Sequence, residues 1–310
     1  MRPVKGIIKV VDEMAVHDGP GLRSLVFLKG CTLKCKWCQN PELLDFRPEI
    51  WFHKLLCKKC GQCKEVCPAH AIDLDSDEKR INKAKCIGIE CFKCVKVCLN
   101  NAIQVVGYEI TAEDLYKHIA KYKFFYEHSN SGGVTLTGGE PLHQAEFAAE
   151  VINRCKENGI HTAIETSLYA SYETLWKVVN CCDLIMCDIK HMDIKKHREG
   201  TGAPNELVLE NLMRLNHDYK NEIVIRIPLI PGFNNDEDNI VQTLEFLRPL
   251  ERVKGVDLLP FNVFPVAKYE ALSHDWDYLG VERQSDECLD KLKGIVESYE
   301  RFRCTIGGLW

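Results

Sequence analysis

Ser24 to Pro41 reads SLVFLKGCTLKCKWCQNP. Its apolar, β-prone run, Leu25 to Leu28, ends at Lys29-Gly30 and opens at once into Cys31, Cys35 and Cys38. The stretch is a strand that delivers a loop of thiols. Three soft ligands at this short spacing are one fewer than the four of a closed iron–sulfur or structural zinc site. A metal centre held by them keeps one position open for another ligand. A surface zinc knuckle, or three unrelated core thiols, would leave the flanking Asp18-Gly19-Pro20-Gly21 and the tail Gln39-Asn40-Pro41-Glu42 unexplained.

Downstream, residues 49–106 are dense in cysteine and lysine and repeat internally. The first half carries Cys57, Cys60, Cys63 and Cys67, then Pro68 and Ala71-Ile72; the second carries Cys86, Cys91, Cys94 and Cys98, then Ala102-Ile103. In each half the Ala-Ile pair follows the last cysteine by four and five residues, as in two copies of one supersecondary unit. The repeat resembles a two-cluster ferredoxin module, in which the fourth cysteine of a run ligates the other cluster. That resemblance implies one cluster on Cys57, Cys60, Cys63 and Cys98, and a second on Cys67, Cys86, Cys91 and Cys94. The second half departs from the bacterial pattern with four residues, not two, between Cys86 and Cys91. A pair of zinc ribbons is the alternative; the Cys-Pro step and the repeated spacing weigh against it.

The chain has 17 cysteines in 310 residues. In a short secreted protein that number would mean disulfides, but clustered at short spacing in a long chain it means metal. Cys155, Cys181, Cys182, Cys187, Cys288 and Cys304 share no ligand spacing. Most of these are expected to be small buried hydrophobes.

Around the cysteine loop the chain alternates strands and helices. Gly6 to Val11 is a short strand, and Leu25 to Leu28 is followed after the insertion by apolar strands at Val134–Thr137, His161–Ile164, Leu184–Asp188, Ile223–Ile227 and Gly255–Leu259. Helical periodicity covers Thr111 to about Ser129, Gln144–Asn158, Tyr172–Val179, Glu206–Asp218, Asp236–Leu247 and Val281–Arg301. Near-continuous apolar strands separated by helices imply a parallel sheet covered on both faces. The fold class is α/β: an open, partial (β/α)6 TIM-type barrel over 1–48 and 107–310, with an inserted ferredoxin-like domain over 49–106. In such barrels the chemistry sits at the C-terminal strand ends.

The segment DGPGLRSLVFLKGCTLKCKWCQNPE, Asp18 to Glu42, resembles the radical S-adenosylmethionine (SAM) enzymes. Within them it is most similar to the activating enzymes of glycyl radical enzymes. The resemblance implies a [4Fe-4S] cluster on Cys31, Cys35 and Cys38 whose open iron chelates SAM, and so three [4Fe-4S] clusters in all. It also implies the cofactor contacts. Gly138-Gly139-Glu140 resembles the GGE motif that binds the amino group, with the Glu140 carboxylate facing the amine. Asp188 and Lys190 look like the D-x-K motif, and read alone they are equally an ordinary salt bridge. Arg226 suits a carboxylate or ribose, and a pairing with a barrel carboxylate competes. Trp37 stands where an aromatic abuts the adenine. Asn262 stands where relatives often have histidine, and Lys268-Tyr269-Glu270 matches the family's ending. In relatives a monovalent cation can sit between strand ends, and Glu165, Thr166, Met186 and Asp188 are the matching positions. The histidines His17, His53, His70, His143, His161 and His191 form no ligand pair or triad and are assigned no role.

By that resemblance, reductive cleavage of SAM yields a 5′-deoxyadenosyl radical that takes a hydrogen atom from a glycine Cα in a partner glycyl radical enzyme. Flavodoxin or ferredoxin would supply the electron. A radical enzyme acting directly on a peptide or small molecule stays open, as does a ferredoxin-type electron carrier. The carrier has no use for a second domain. The net charge of −5 and pI near 6.1, with no long basic run, argue against a nucleic-acid partner. No apolar stretch is long enough for a signal peptide or a membrane span, so a cytoplasmic address is expected.

Overall fold

The computed structural model describes residues 3–76, 80–88 and 91–308; Ile89 and Glu90 of the Cys86–Cys91 spacer lie outside them. In chain order, β1 (Lys5–Ala15) and β2 (Arg23–Leu28) pair antiparallel. β3 (Glu49–Phe52) and β4 (Ile103–Val106) pair with each other alone, which closes residues 49–106 at their base. Then β5 (Tyr108–Thr111) adds to the outer edge of β1. The remaining strands are β6 (Gly133–Gly138), β7 (His161–Thr166), β8 (Leu184–Asp188), β9 (Glu222–Leu229), β10 (Val253–Pro260) and β11 (Arg303–Ile306).

The main sheet runs β11-β10-β9-β8-β7-β6-β2-β1-β5. From β2 through β11 every neighbouring pair is parallel. Its two ends do not meet, giving the mostly parallel α/β sheet of a partial barrel. The six expected parallel strands are all present and in the expected order. Their apolar runs are buried on both faces, each fully buried Val, Leu or Ile contributing about 1.5–3 kcal/mol: Ile164, Ile185, Ile225, Ile227, Val256 and Leu258 are all at 0% exposure.

Three expectations are corrected. The last helix is Asp286–Glu297 rather than Val281–Arg301, because Ser285 caps it, accepting from the Cys288 N–H. Past it, Glu300 takes a left-handed φ of 44°, and the chain returns as a seventh parallel strand, β11. The helix expected from Thr111 to Ser129 is two, Ala112–Ala120 and Lys123–Glu127. The break lets Tyr126 turn inward, where its hydroxyl lies 2.6 Å from Ser24 Oγ and donates to the Ile119 carbonyl at 3.3 Å.

Residues 49–106 have an apolar cluster of their own, built from Ile50, Phe52, Ile72, Ile81, Ala102 and Ile103, with Cys94 buried among them. Ile72 and the Ala102-Ile103 pair of the repeat are therefore part of that cluster, with Ala71 buried beside Ile72 in the chain. Among the other six cysteines, Cys155, Cys182 and Cys187 are buried, while Cys181, Cys288 and Cys304 are partly exposed. Among the described residues, no helix is long and apolar enough to cross a membrane.

Candidate functional site

All seven parallel strands end at one open cavity of about 1550 Å³. The loop after β2 brings Cys31, Cys35 and Cys38 to its wall. Backbone bonds pin that loop at both ends. Gly30 and Cys31 donate to the carbonyls of Leu43 and Leu44 at 2.8 and 3.1 Å, and Lys34 and Lys36 donate to Thr201 and Gly200 at 2.8 and 3.0 Å. Lys268 reaches over from the helix Val266–Ala271 and donates to Gln39 O at 3.0 Å and Asn40 Oδ1 at 2.6 Å.

Burial pushes all three thiols above the ordinary cysteine range, Cys38 to about 12 with help from the neighbouring Cys35. Left free they keep their protons; only a bound cation makes them thiolates. Among the described residues no three His, Cys, Asp or Glu side chains converge on a single ion, and no fourth cysteine lines this cavity. Three soft thiols on one wall fit an iron–sulfur cluster open on one side.

Gly138 and Gly139 line the cavity, but a different constraint makes them glycine. A Cβ on Gly139 would stand 2.3 Å from Gly30 O and 2.6 Å from Leu43 O, and one on Gly138 2.5 Å from the Leu28 backbone. Close packing of the end of β6 against the cysteine loop excludes any side chain there. Glu140 is 1% exposed and accepts four hydrogen bonds: Thr166 Oγ1 (2.7 Å) and Leu142 N (3.1 Å) on Oε1, Ser167 N (2.8 Å) and Ser167 Oγ (2.6 Å) on Oε2. A carboxylate has about four such positions. Burial raises its pKa while those donors lower it, and the net is upward. Glu140 is thus a buried, hydrogen-bonded carboxylate that lines the cavity beside Gly138 and Gly139.

Asp188 and Lys190 both line the cavity and pair at 2.6 Å. Lys190 is 8% exposed. Burial works to lower its pKa, yet the paired Asp188 carboxylate outweighs it, so the ammonium stays charged beside the thiol loop. Arg226 pairs with Asp18 at 2.7 Å and with Glu165, so its charge is met by protein carboxylates, the competing reading of the two; its Nε has no partner. Glu165 also accepts from Thr137 Oγ1. The four candidate cation positions do not act as a set. Glu165 faces Arg226, Thr166 donates to Glu140, Asp188 holds Lys190, and Met186 is buried in the barrel interior with Ala163, Leu184 and Val224.

Trp37 is 3% exposed and packs at 4.6 Å from Phe233 and 6.3 Å from Tyr278, leaving part of its ring on the cavity. Asn262 lies at the cavity with its Oδ1 accepting from Phe264 N at 3.1 Å. Asp18, which lines the cavity, is a site residue that the sequence reading does not single out. The signal was an acid at the head of a glycine-rich turn beside the thiol strand, and Asp18 does take a left-handed φ of 64°. Ser167 and Lys268 gave no local sign of their contacts.

Two smaller cavities lie in residues 49–106. One is lined by Cys57, Cys60, Cys63 and Cys98, and the other by Cys67, Cys86, Cys91 and Cys94. Burial raises the Cys63 thiol, with Cys57, Cys60 and Cys98 adding to it; burial then Cys86, Cys67 and Cys91 take Cys94 to about 11. Folding has gathered the two halves crosswise, the last cysteine of each run joining the other half.

Residues 25–247 match the Radical SAM superfamily. Among curated relatives, the choline trimethylamine-lyase activating enzyme of Oleidesulfovibrio alaskensis is 40% identical over 96% of both chains. The trans-4-hydroxy-L-proline dehydratase activating enzyme of Clostridioides difficile is 40% identical over 96% of this chain and 98% of its own. A radical SAM methyltransferase from Sphaerobacter thermophilus shares the fold at 15% identity, covering 65% of this chain and 58% of that one with a TM-score of 0.51. The match over most of the chain and the near-full-length relatives agree with the thiol loop at the strand ends: this chain belongs to the radical SAM superfamily and, within it, to the activating enzymes of glycyl radical enzymes.

Proposed function

We propose that this chain installs a glycyl radical in a partner enzyme by reductive cleavage of SAM at a cluster held by Cys31, Cys35 and Cys38. The observation that carries the reading is the convergence of those three thiols on the cavity where all seven parallel strands end. When bound, cluster and SAM together supply a 5′-deoxyadenosyl radical that takes a hydrogen atom from a glycine Cα.

The chain's own residues bind and orient. The cofactor amine falls to the Gly138-Gly139-Glu140 end of β6, where the buried Glu140 carboxylate lines the cavity. The Asp188–Lys190 pair offers one acceptor and one donor at the strand end. Trp37, held by Phe233 and Tyr278, gives a fixed apolar wall for a purine, and Asn262 a neutral hydrogen-bonding edge that cannot titrate. Arg226, tied to Asp18 and Glu165, holds the floor of the cavity.

The ferredoxin-like reading of residues 49–106 is supported by the two cavities, each lined by one of the crosswise cysteine quartets. Two auxiliary [4Fe-4S] clusters there would relay an electron inward from a flavodoxin or ferredoxin. Free cysteines and a low-potential reductant suit a cytoplasmic address. Identity does not select the partner, since relatives named for a choline lyase and for a hydroxyproline dehydratase are equally similar, at 40%.

The test is the electron paramagnetic resonance spectrum of the anaerobically reconstituted, reduced protein with and without SAM. One cluster signal should shift on adding SAM while the others stay. A spectrum indifferent to SAM overturns the reading.

A further inference from the structure

Residues 49–106 carry ten Lys and Arg against seven Asp and Glu, a net of +3 in a chain whose net charge is −5. The imbalance is local. The runs 54–65 and 91–101 hold six lysines and one acid, Glu65, while four of the acids fall in 73–78. These two runs carry Cys57, Cys60, Cys63 and Cys98, whose cavity is also lined by Lys58 and Lys59. Cys60 is exposed, and the leucines beside Cys57 and Cys98 stand out in solvent: Leu55 is 94% exposed and Leu99 86%. Lys54 and Lys64 are exposed as well.

The other quartet reaches the barrel side through Cys86. Cys86 lines a cleft of about 1120 Å³ shared with Pro41, Leu44 and Asp45 of the segment behind the cysteine loop and with His274 beyond the Val266–Ala271 helix. None of Cys57, Cys60, Cys63 or Cys98 lines that cleft. One quartet thus has a cysteine on the cleft beside the barrel segment, and the other has its exposed Cys60 inside a basic, partly apolar rim.

We infer that the rim around Cys60, marked by Lys54, Leu55, Lys58, Lys64 and Leu99, is the docking face for an acidic one-electron carrier protein, a low-potential flavoprotein or iron–sulfur protein. The inference rests on the proposed auxiliary clusters. Charge complementarity selects the partner: lysines steer an acidic surface, and the exposed leucines supply the short-lived apolar contact of a transient electron-transfer complex. Electrons enter at the quartet of Cys60, pass to the quartet on Cys86, and leave toward the barrel. The carrier loses one electron and the receiving cluster gains one; no bond is made or broken.

The experiment mixes reduced flavodoxin, as an acidic hydroquinone probe, with the reconstituted full chain without SAM and follows flavin reoxidation in a stopped-flow instrument. The wild-type rate should fall severalfold from low to high salt. Lys54→Glu with Lys64→Glu should slow it about tenfold or more at low salt and flatten the salt dependence, while dithionite-driven SAM cleavage is unchanged. An unchanged flavin rate in the double variant overturns the inference. So does a salt-independent wild-type rate, which needs no variant to fold. A double variant that keeps its flavin rate but fails to install the glycyl radical would give the face to the protein substrate instead, and also overturns it. Because the flavin signal is read without SAM, loss of SAM cleavage by the wild type would strike the proposed function alone.

Discussion

Lys268 Nζ lies 3.1 Å from Glu42 Oε1, joining the segment after β10 to the end of the cysteine loop. Glu42 is fully buried, its Oε1 also meets Lys9, and its Oε2 has no partner. The same ammonium donates to Gln39 O and Asn40 Oδ1, so one cation holds three successive points of the loop just past Cys38. Lys268→Met leaves the buried carboxylate with one cation and frees that stretch. It should lower unfolding free energy by about 1–3 kcal/mol and slow SAM cleavage by roughly tenfold, with Lys268→Arg recovering part of both. Chemical denaturation and the SAM-dependent cluster spectrum check it.

Gly139→Ala places a methyl 2.3 Å from Gly30 O, against backbone that cannot swing aside. The strand end and cysteine loop must separate. SAM binding should be lost, with a destabilisation of about 1–3 kcal/mol from overpacking. Equilibrium dialysis with SAM and thermal unfolding read the two effects separately.

Buried Arg23 donates to His161 Nδ1 at 3.2 Å, which requires a neutral imidazole. Burial, reinforced by the Arg23 charge, takes the His161 pKa from 6.5 to about 4. Between those values the unfolded chain binds the extra proton. The stabilisation is therefore complete above the unfolded pKa and is lost as pH falls toward the folded one. Discounted for partial exposure, it amounts to about 2 kcal/mol. His161→Gln should flatten the dependence of the urea midpoint on pH across this window; an unchanged slope would contradict it.

Cys63→Ser and Cys94→Ser strike different quartets. Each should remove about a third of the bound iron while leaving the SAM-responsive signal in place. Iron analysis beside the same spectrum tests this, and loss of that signal in either variant would show that the quartets and the cysteine loop are not separate sites.

Much of the fold was legible because it is written in local pattern. The six parallel strands are apolar runs flanked by helical periodicity, and β2 announces itself by running into Gly30 and Cys31. β11 was not legible: Arg303-Cys304-Thr305-Ile306 is a four-residue edge strand without an apolar run, and only its pairing with β10 defines it. Among site residues, nearly every candidate reached the cavity, since strand ends are set by the same local pattern. Met186 did not, because it sits two residues before Asp188 on the same face of β8, deeper in the barrel interior with Ala163, Leu184 and Val224.

From sequence alone came the thiol loop and the parallel strands, both encoded by pattern and spacing along the chain; the crosswise cysteine quartets are what the resemblance of the repeat to a ferredoxin module implies. Tertiary structure alone decided what the charged groups do. Glu140 accepts from Ser167 and Thr166, Arg226 pairs with Asp18 and Glu165, and Glu42 pairs with Lys268 and Lys9. Each of these partners is distant in sequence. A buried charge takes whatever partner packing brings within hydrogen-bond reach, and no periodicity along the chain records which one that is.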